Sequence, residues 1–369
     1  MRSSKAMDKR VWLFTLLAVV LAAEGYRHRA WFLPKPKDAA AVVGTEDVPY
    51  IPSRNDAFRL LQECKFDELE TLSAKHRARD LKLDCSGLDT LNEFYDYFNF
   101  DDSASDAYWE SIAHCLEQWA QAHPESPTPL VTLGHLYLNF GWKARGNGWA
   151  DTVTDQGWRL FGERLQKAKG YLDRAAALKI QDPCTYPALI TVALGLNSPR
   201  EEMESAYNRG VALEPNYLEL YYTKGYYLLP RWYGEKGEWE AWLKTVADAR
   251  GGEEGDILYA WIAARQANME HEDFFRRTDA NYERMQRGFA AALERWGQAT
   301  PSFNLNNICC FACIKGDRET ARKYFKRIGG QWMKFVWKDR AYFDRCQAWA
   351  ENPTLNAYPG PDPYALTHS

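Results

Sequence analysis

The chain has 369 residues, 46% of them hydrophobic and 26% charged, a balance that supports a buried core and excludes a disordered chain. Its net charge of −4, with both signs interspersed, excludes the basic stripe of a nucleic-acid binder. Fifteen Trp, 21 Tyr and 17 Phe make the core aromatic, and each buried Trp or Tyr brings an N–H or O–H that needs a partner.

At the N-terminus, Arg2, Lys5, Lys9 and Arg10 precede an unbroken apolar run over residues 11–23. A basic segment followed by a short apolar one predicts a signal peptide or short membrane anchor over 1–24. The run is short against the roughly 20 apolar residues of a spanning helix. Val20-Leu21-Ala22 offers a cleavage site, so cleaved signal and membrane tether both stay open. Either places the body outside the cytoplasm, in the periplasm or anchored in the inner membrane. Cleavage would remove more basic than acidic residues, leaving no basic patch for anionic lipid. Residues 25–55, with Pro34, Pro36, Pro49 and Pro52, read as a Pro-containing tether.

Helical patterning begins at Asp56 and no sustained period-two alternation follows, so the expected class is all-α. The N-terminal helical region, 56–126, predicts one helix over 57–80 paired with another over 90–100. A third, over 103–126, should stop at Pro124. Residues 127–352 then carry a repeated pattern. Leu130, Leu133, Gly134 and Tyr137 recur at the spacing of a first helix, and Ala168, Leu172 and Ala175 follow as its second, with roughly twenty extra residues between them. Leu189, Val192 and Ala193 pair with Tyr207, Gly210 and Pro215. Tyr221, Gly225 and Leu228 open a third unit, completed after a short insertion by residues 237–249. Leu305, Ile308, Cys309 and Ala312, the Gly316-Asp317 turn, Ala321 and Phe325 make the last. Residues 353–369 form a C-terminal tail.

These positions resemble the tetratricopeptide (TPR) superfamily, in which two antiparallel helices fill a unit of about 34 residues. The resemblance implies TPR-like stacked helical hairpins, an irregular α-solenoid with insertions compacted into one globule and continuous with the N-terminal region. Small residues at close contacts and large ones between them are what such packing needs. Four segments extend the likeness: Phe66–Glu70, Trp142–Trp158, Leu229–Trp242 and Phe303–Trp332. Together they look like the bacterial family called domain of unknown function 4034. That family implies an exported TPR-like domain and supplies no catalytic residues.

No enzyme motif is present, and no two histidines stand four apart on a helix as a helical metal site would want. No cofactor or metal site is therefore expected. Cys310-Phe311-Ala312-Cys313 lies in an apolar helical run and reads as small apolar packing, with a redox or metal role as the alternative.

The candidate binding residues lie in two insertions. The first carries Trp142, Arg145, Trp149, Asp151 and Trp158, with Arg145–Gly148 as a turn and a helix restarting at Trp158; the second carries Arg231, Trp232 and Tyr233. Trp and Arg dominate binding hot spots, so the two could build one face for a protein or peptide partner. They could equally fold back and plug the end of the solenoid. The inner-face positions of the first helices, among them Thr128, Val131, His135, Leu138, Ile190, Leu194, Tyr222 and Tyr226, hold no Lys or Arg, which excludes a basic carboxylate clamp there. They are apolar enough to predict that they are covered. The expected function is an exported, non-catalytic interaction or scaffold protein. The alternative is an enzyme or enzyme subunit with a site where Arg145, Asp151 and Arg231 meet.

Overall fold

The computed structural model describes residues 54–78, 90–98, 103–146, 150–270, 274–296 and 303–355. The expected signal segment, nearly all of the tether, Trp149 and most of the tail lie outside these residues. All regular structure among the described residues is helical, with no strand. The expected all-α class is therefore met.

Four helices open the chain: α1 (Arg54–Gln62), α2 (Phe66–Ala78), α3 (Thr90–Asp96) and α4 (Asp106–Ala122). The single helix expected over 57–80 is broken at Cys64, which takes a left-handed φ of 54°. Helix α4 starts on Ser105, whose hydroxyl accepts from the Tyr108 N–H, and ends before Pro124 as expected. Then come α5 (Pro127–Arg145), a 3₁₀ turn at Ala150–Thr152, α6 (Asp155–Ala177), α7 (Thr185–Leu196), α8 (Arg200–Leu213) and α9 (Leu218–Tyr227). The chain continues through α10 (Glu238–Arg250), α11 (Gly252–Glu270), α12 (Phe274–Arg277) and α13 (Tyr282–Trp296). It closes with α14 (Phe303–Lys315), α15 (Arg318–Ile328), α16 (Lys334–Trp337) and α17 (Arg340–Glu351).

The described residues fall into two compact units. The first takes everything up to Tyr227 together with Arg231–Tyr233; the second takes Leu228–Pro230 and everything from Gly234 onward. Helices α9 and α10, expected as the two halves of the third repeat, thus belong to different units.

In the first unit α5 and α6 run antiparallel. Gly134 lies against Leu172 while Gly141 lies against Leu165, so residue numbers rise on one helix as they fall on the other. A Cβ on Gly134 would stand 2.5 Å from the Leu172 side chain, the physical reason for glycine at that repeat position. Gly210 on α8 does the same work, since a Cβ there would come within 2.4 Å of Leu220 and 2.9 Å of Tyr186. Helix α7 packs on α6, α8 and α9.

The inner-face positions Thr128, Val131, His135, Leu138, Ile190 and Leu194 are buried, as the sequence predicts. Helix α3 covers part of them, with the Tyr95 ring stacked on His135 at 5.4 Å. A polar network fixes it there. Asp182, fully buried, accepts from the Tyr95 O–H and from Arg77 Nη2, both at 2.7 Å, and from the Cys184 N–H at 2.9 Å. Helix α2 is held by Glu70, whose two oxygens accept from the Trp119 indole at 2.9 Å and the Ser126 hydroxyl at 3.0 Å.

In the second unit α14 and α15 pack together, and α16 and α17 close over them. Asn306 Oδ1 accepts from the buried Trp337 indole at 2.7 Å and from the Met333 N–H at 3.2 Å. Asn304 takes the Trp261 indole at 2.8 Å. Asp317 caps α15 by accepting from the Thr320 N–H at 3.1 Å, next to Gly316 with its φ of 82°. Cys309, Cys310, Cys313 and Cys346 are buried in this core with Phe325, Trp337 and Phe343. Burial pushes the thiols of Cys309, Cys313 and Cys346 above their ordinary range. They behave as small apolar side chains.

Candidate functional site

The first insertion is more helical than its sequence suggests. Helix α5 continues unbroken through Trp142 to Arg145, and α6 begins at Asp155, three residues before the expected restart at Trp158. Most of the extra residues therefore lengthen the α5–α6 hairpin. The cause is visible in the added contacts: the Trp142 ring meets the Phe161 ring edge-on at 4.9 Å, and Trp158 meets Phe161 at 6.0 Å. These carry the antiparallel interface one turn further. Gly146, at φ 73°, ends α5, and Thr154 starts α6 by accepting from the Gly157 N–H.

Arg145 sits between the two indoles, its guanidinium carbon 5.8 Å from the Trp142 ring and 5.4 Å from the Trp158 ring. It is only 3% exposed, and its Nη1 donates to the Gly146 carbonyl at 3.0 Å. Burial lowers its pKa from the ordinary arginine value to about 10, and Tyr226 partly offsets that. Trp142 is half-buried, while Trp158 is 38% exposed, one of the few large apolar side chains so open. Asp151 lies exposed in the 3₁₀ turn with no ion pair among the described residues.

The second insertion returns to the same unit. Arg231 lies over the Tyr226 ring, 5.7 Å from its centroid, and the Trp232 ring stands 5.8 Å from the same tyrosine. Tyr222 is a further neighbour, at 6.2 Å. Burial raises the Tyr226 hydroxyl well above its ordinary value, while Arg231, the Trp232 indole and Arg145 pull it back down. That indole N–H is near enough to affect the hydroxyl but stands outside hydrogen-bond geometry. Tyr233 turns away, stacking on Tyr227 at 4.9 Å and donating to the Leu194 carbonyl at 3.0 Å. Its burial pushes its pKa up to about 12.

The expected site residues thus separate into three groups. Arg231 and Trp232 meet at Tyr226, whose hydroxyl Arg145 also influences; Trp142 and Trp158 flank Arg145; Tyr233 serves the packing of α7 and α9. Asp151 makes no contact with either arginine among the described residues, and Trp149 lies outside them. The sequence places the central residue, Tyr226, only on the inner face. The Tyr222, Tyr226 spacing of four residues on α9 was the available signal, because it puts both rings on one side of the helix.

Among the described residues no group of His, Cys, Asp and Glu is arranged to hold a metal ion. Two open surface depressions lie elsewhere in this unit, one bordered by Tyr186 and Arg209, the other by Arg77 and His123. Comparison with known proteins finds no matching family model, no matching curated protein and no matching solved structure.

Proposed function

We propose that the chain is an exported, non-catalytic TPR-like interaction protein, related to the domain of unknown function 4034 family. It engages a protein or peptide partner through the face made by its two insertions. The observation that carries this reading is the convergence on Tyr226: Arg145 from the first insertion and Arg231 and Trp232 from the second all act on one side chain. Antiparallel hairpins with glycine at their closest approach support the TPR-like part. The exposed Trp158 and the partly exposed Arg231 and Trp232 are residue types that anchor interfaces. Residues 11–23 remain the basis for export and a possible tether. Among the described residues no helix is long and apolar enough to cross a membrane.

The test is affinity capture of the intact chain from detergent-solubilised native cells. It is set against Trp158→Ala/Arg231→Met/Trp232→Ala, required to melt cooperatively at the wild-type temperature. The single variant Trp158→Ser, at the surface, serves if the triple variant unfolds. We expect a partner that co-purifies with the intact chain to disappear with either variant. Retention of every partner by a folded variant would remove the insertions as the interface.

A further inference from the structure

Hydrogen-bond donors outnumber acceptors around Tyr226. The indole N–H of Trp232, the Tyr226 hydroxyl, and Nε and Nη2 of Arg231 are all buried and lack a hydrogen-bond partner, and so does the Trp142 indole beside Arg145. Indole and guanidinium groups can only donate, and the one acceptor in the cluster, the Tyr226 hydroxyl oxygen, cannot serve every donor. A buried donor left unmade costs the desolvation of its polar group. Three such residues packed against one another mark a site that can take a ligand from outside.

Charge says what that something is. Elsewhere in this unit the buried or half-buried arginines have carboxylates: Arg77 meets Asp182 at 2.7 Å, and Arg164 meets Asp106 at 2.6 Å. Arg231 has no ion pair with a carboxylate among the described residues. Arg145 adds a second positive charge acting on the same tyrosine. Its depressed pKa is what an approaching anion would reverse. Arg231, Trp232 and Tyr226 each keep part of their surface in solvent, although the donor atoms themselves are covered.

We infer that the cluster binds an oxyanion, the carboxylate or phosphate group of a ligand, on the Arg231 guanidinium, the Trp232 N–H and the Tyr226 O–H. Guanidinium forks suit both oxyanions, and the flanking rings suit an apolar group attached to one. This rests on the interaction face proposed above and names the chemistry that the face would recognise in a partner.

The experiment reads the indole N–H signals of the full-length, ¹⁵N-labelled protein by NMR, with those of Trp142 and Trp232 assigned from Trp142→Phe and Trp232→Phe. Inorganic phosphate, acetate and a short peptide with a free C-terminus are titrated at constant ionic strength, with the C-terminally amidated peptide as control. We expect a saturable shift of the Trp232 indole signal, with affinity weakened about 10- to 100-fold in Arg231→Met and in a second variant, Tyr226→Phe. Response to phosphate alone assigns a phosphate ligand. Response to acetate and the free peptide, but not the amidated one, assigns a carboxylate. If neither anion moves the Trp232 signal, or Arg231→Met responds as the wild type does, the donors hold only water and the inference is wrong. A silent titration alongside a partner that still depends on Trp158 and Trp232 would overturn the anion chemistry while leaving the interaction face standing.

Discussion

Asp182 has no exposed surface and accepts hydrogen bonds from Tyr95, Arg77 and the Cys184 backbone. Its position is the residue-scale reason that α3 lies over α5 and α7. A buried carboxylate keeps its charge only when its lone pairs are all taken, so each donor depends on the others. Replacing it by Asn leaves Arg77 facing a neutral group, and we expect Asp182→Asn to cost about 3 kcal/mol. Tyr95→Phe, which removes one donor and no charge, should cost about 1 kcal/mol. Denaturant unfolding of both variants and their combination checks this; equal costs would mean that charge plays no part. None of this network was legible in the sequence, because Arg77 and Asp182 are 105 positions apart and neither sits in a periodic motif. The candidate site was half legible for the same reason. Composition singles out Arg145, Arg231 and Trp232, but Tyr226, on which they act, reads in the sequence as an ordinary inner-face position.

Glycine sets the distances between helices. Gly288 on α13 stands so close to α11 that a Cβ would fall 2.0 Å from the Asp256 carbonyl oxygen and 2.7 Å from the Ala260 methyl. Backbone cannot yield as a side chain end can, so Gly288→Ala must push the helices apart. It should lose about 2–3 kcal/mol. Gly170, exposed on α6 with open space around it, is the opposite case, and Gly170→Ala should gain about 0.5–1 kcal/mol through helix propensity alone. Melting temperatures of the two variants should move in opposite directions. A common direction would mean that glycine acts in the unfolded chain and not at the helix contact. The elements themselves were largely readable: α4, α5, α7, α8, α14 and α15 fall where periodicity, Pro124, Pro215 and the Gly316-Asp317 turn place them. Two boundaries were not. Cys64 breaks the first helix without Gly or Pro to announce it, since a left-handed cysteine carries no sequence signature. Around Trp142–Trp158, Gly and Asn suggested a long loop, while Phe161 on the facing helix extended the hairpin through tertiary contact.

Burial on the scale of the whole molecule gives it a one-sided dependence on pH. Tyr95, Tyr137, Tyr171, Tyr226, Tyr233, Tyr259 and Tyr282 are all raised from the ordinary tyrosine value of about 10, each chiefly by loss of solvent around the hydroxyl. A raised folded pKa contributes stability that is complete below the unfolded value and is lost as pH climbs through and above it. The buried thiols of Cys309, Cys313 and Cys346, raised for the same reason, begin this loss nearer pH 9. Arg145 works the other way, since a guanidinium lowered to about 10 is relieved when it loses its proton, but it is one group against ten. On the acid side, the Lys143 and Arg164 contacts lower Asp106, and the Thr320 and Tyr282 hydrogen bonds lower Asp317 against the effect of burial. Their stability is present above the ordinary aspartate value and disappears only as pH falls below it. Asp106 is half exposed, so its share is small. We therefore expect the melting temperature to stay level from about pH 6 to 8, to begin falling near pH 9 and to steepen beyond pH 10. Scans in reducing buffer, with tyrosinate absorbance followed in parallel, separate the thiol step from the tyrosine step. If the absorbance rises near pH 10 before the protein unfolds, the hydroxyls meet water in the folded state and the aromatic core is looser than its burial implies. If absorbance and unfolding rise together above that pH, ionisation of the tyrosines requires opening of the helical packing that shields them.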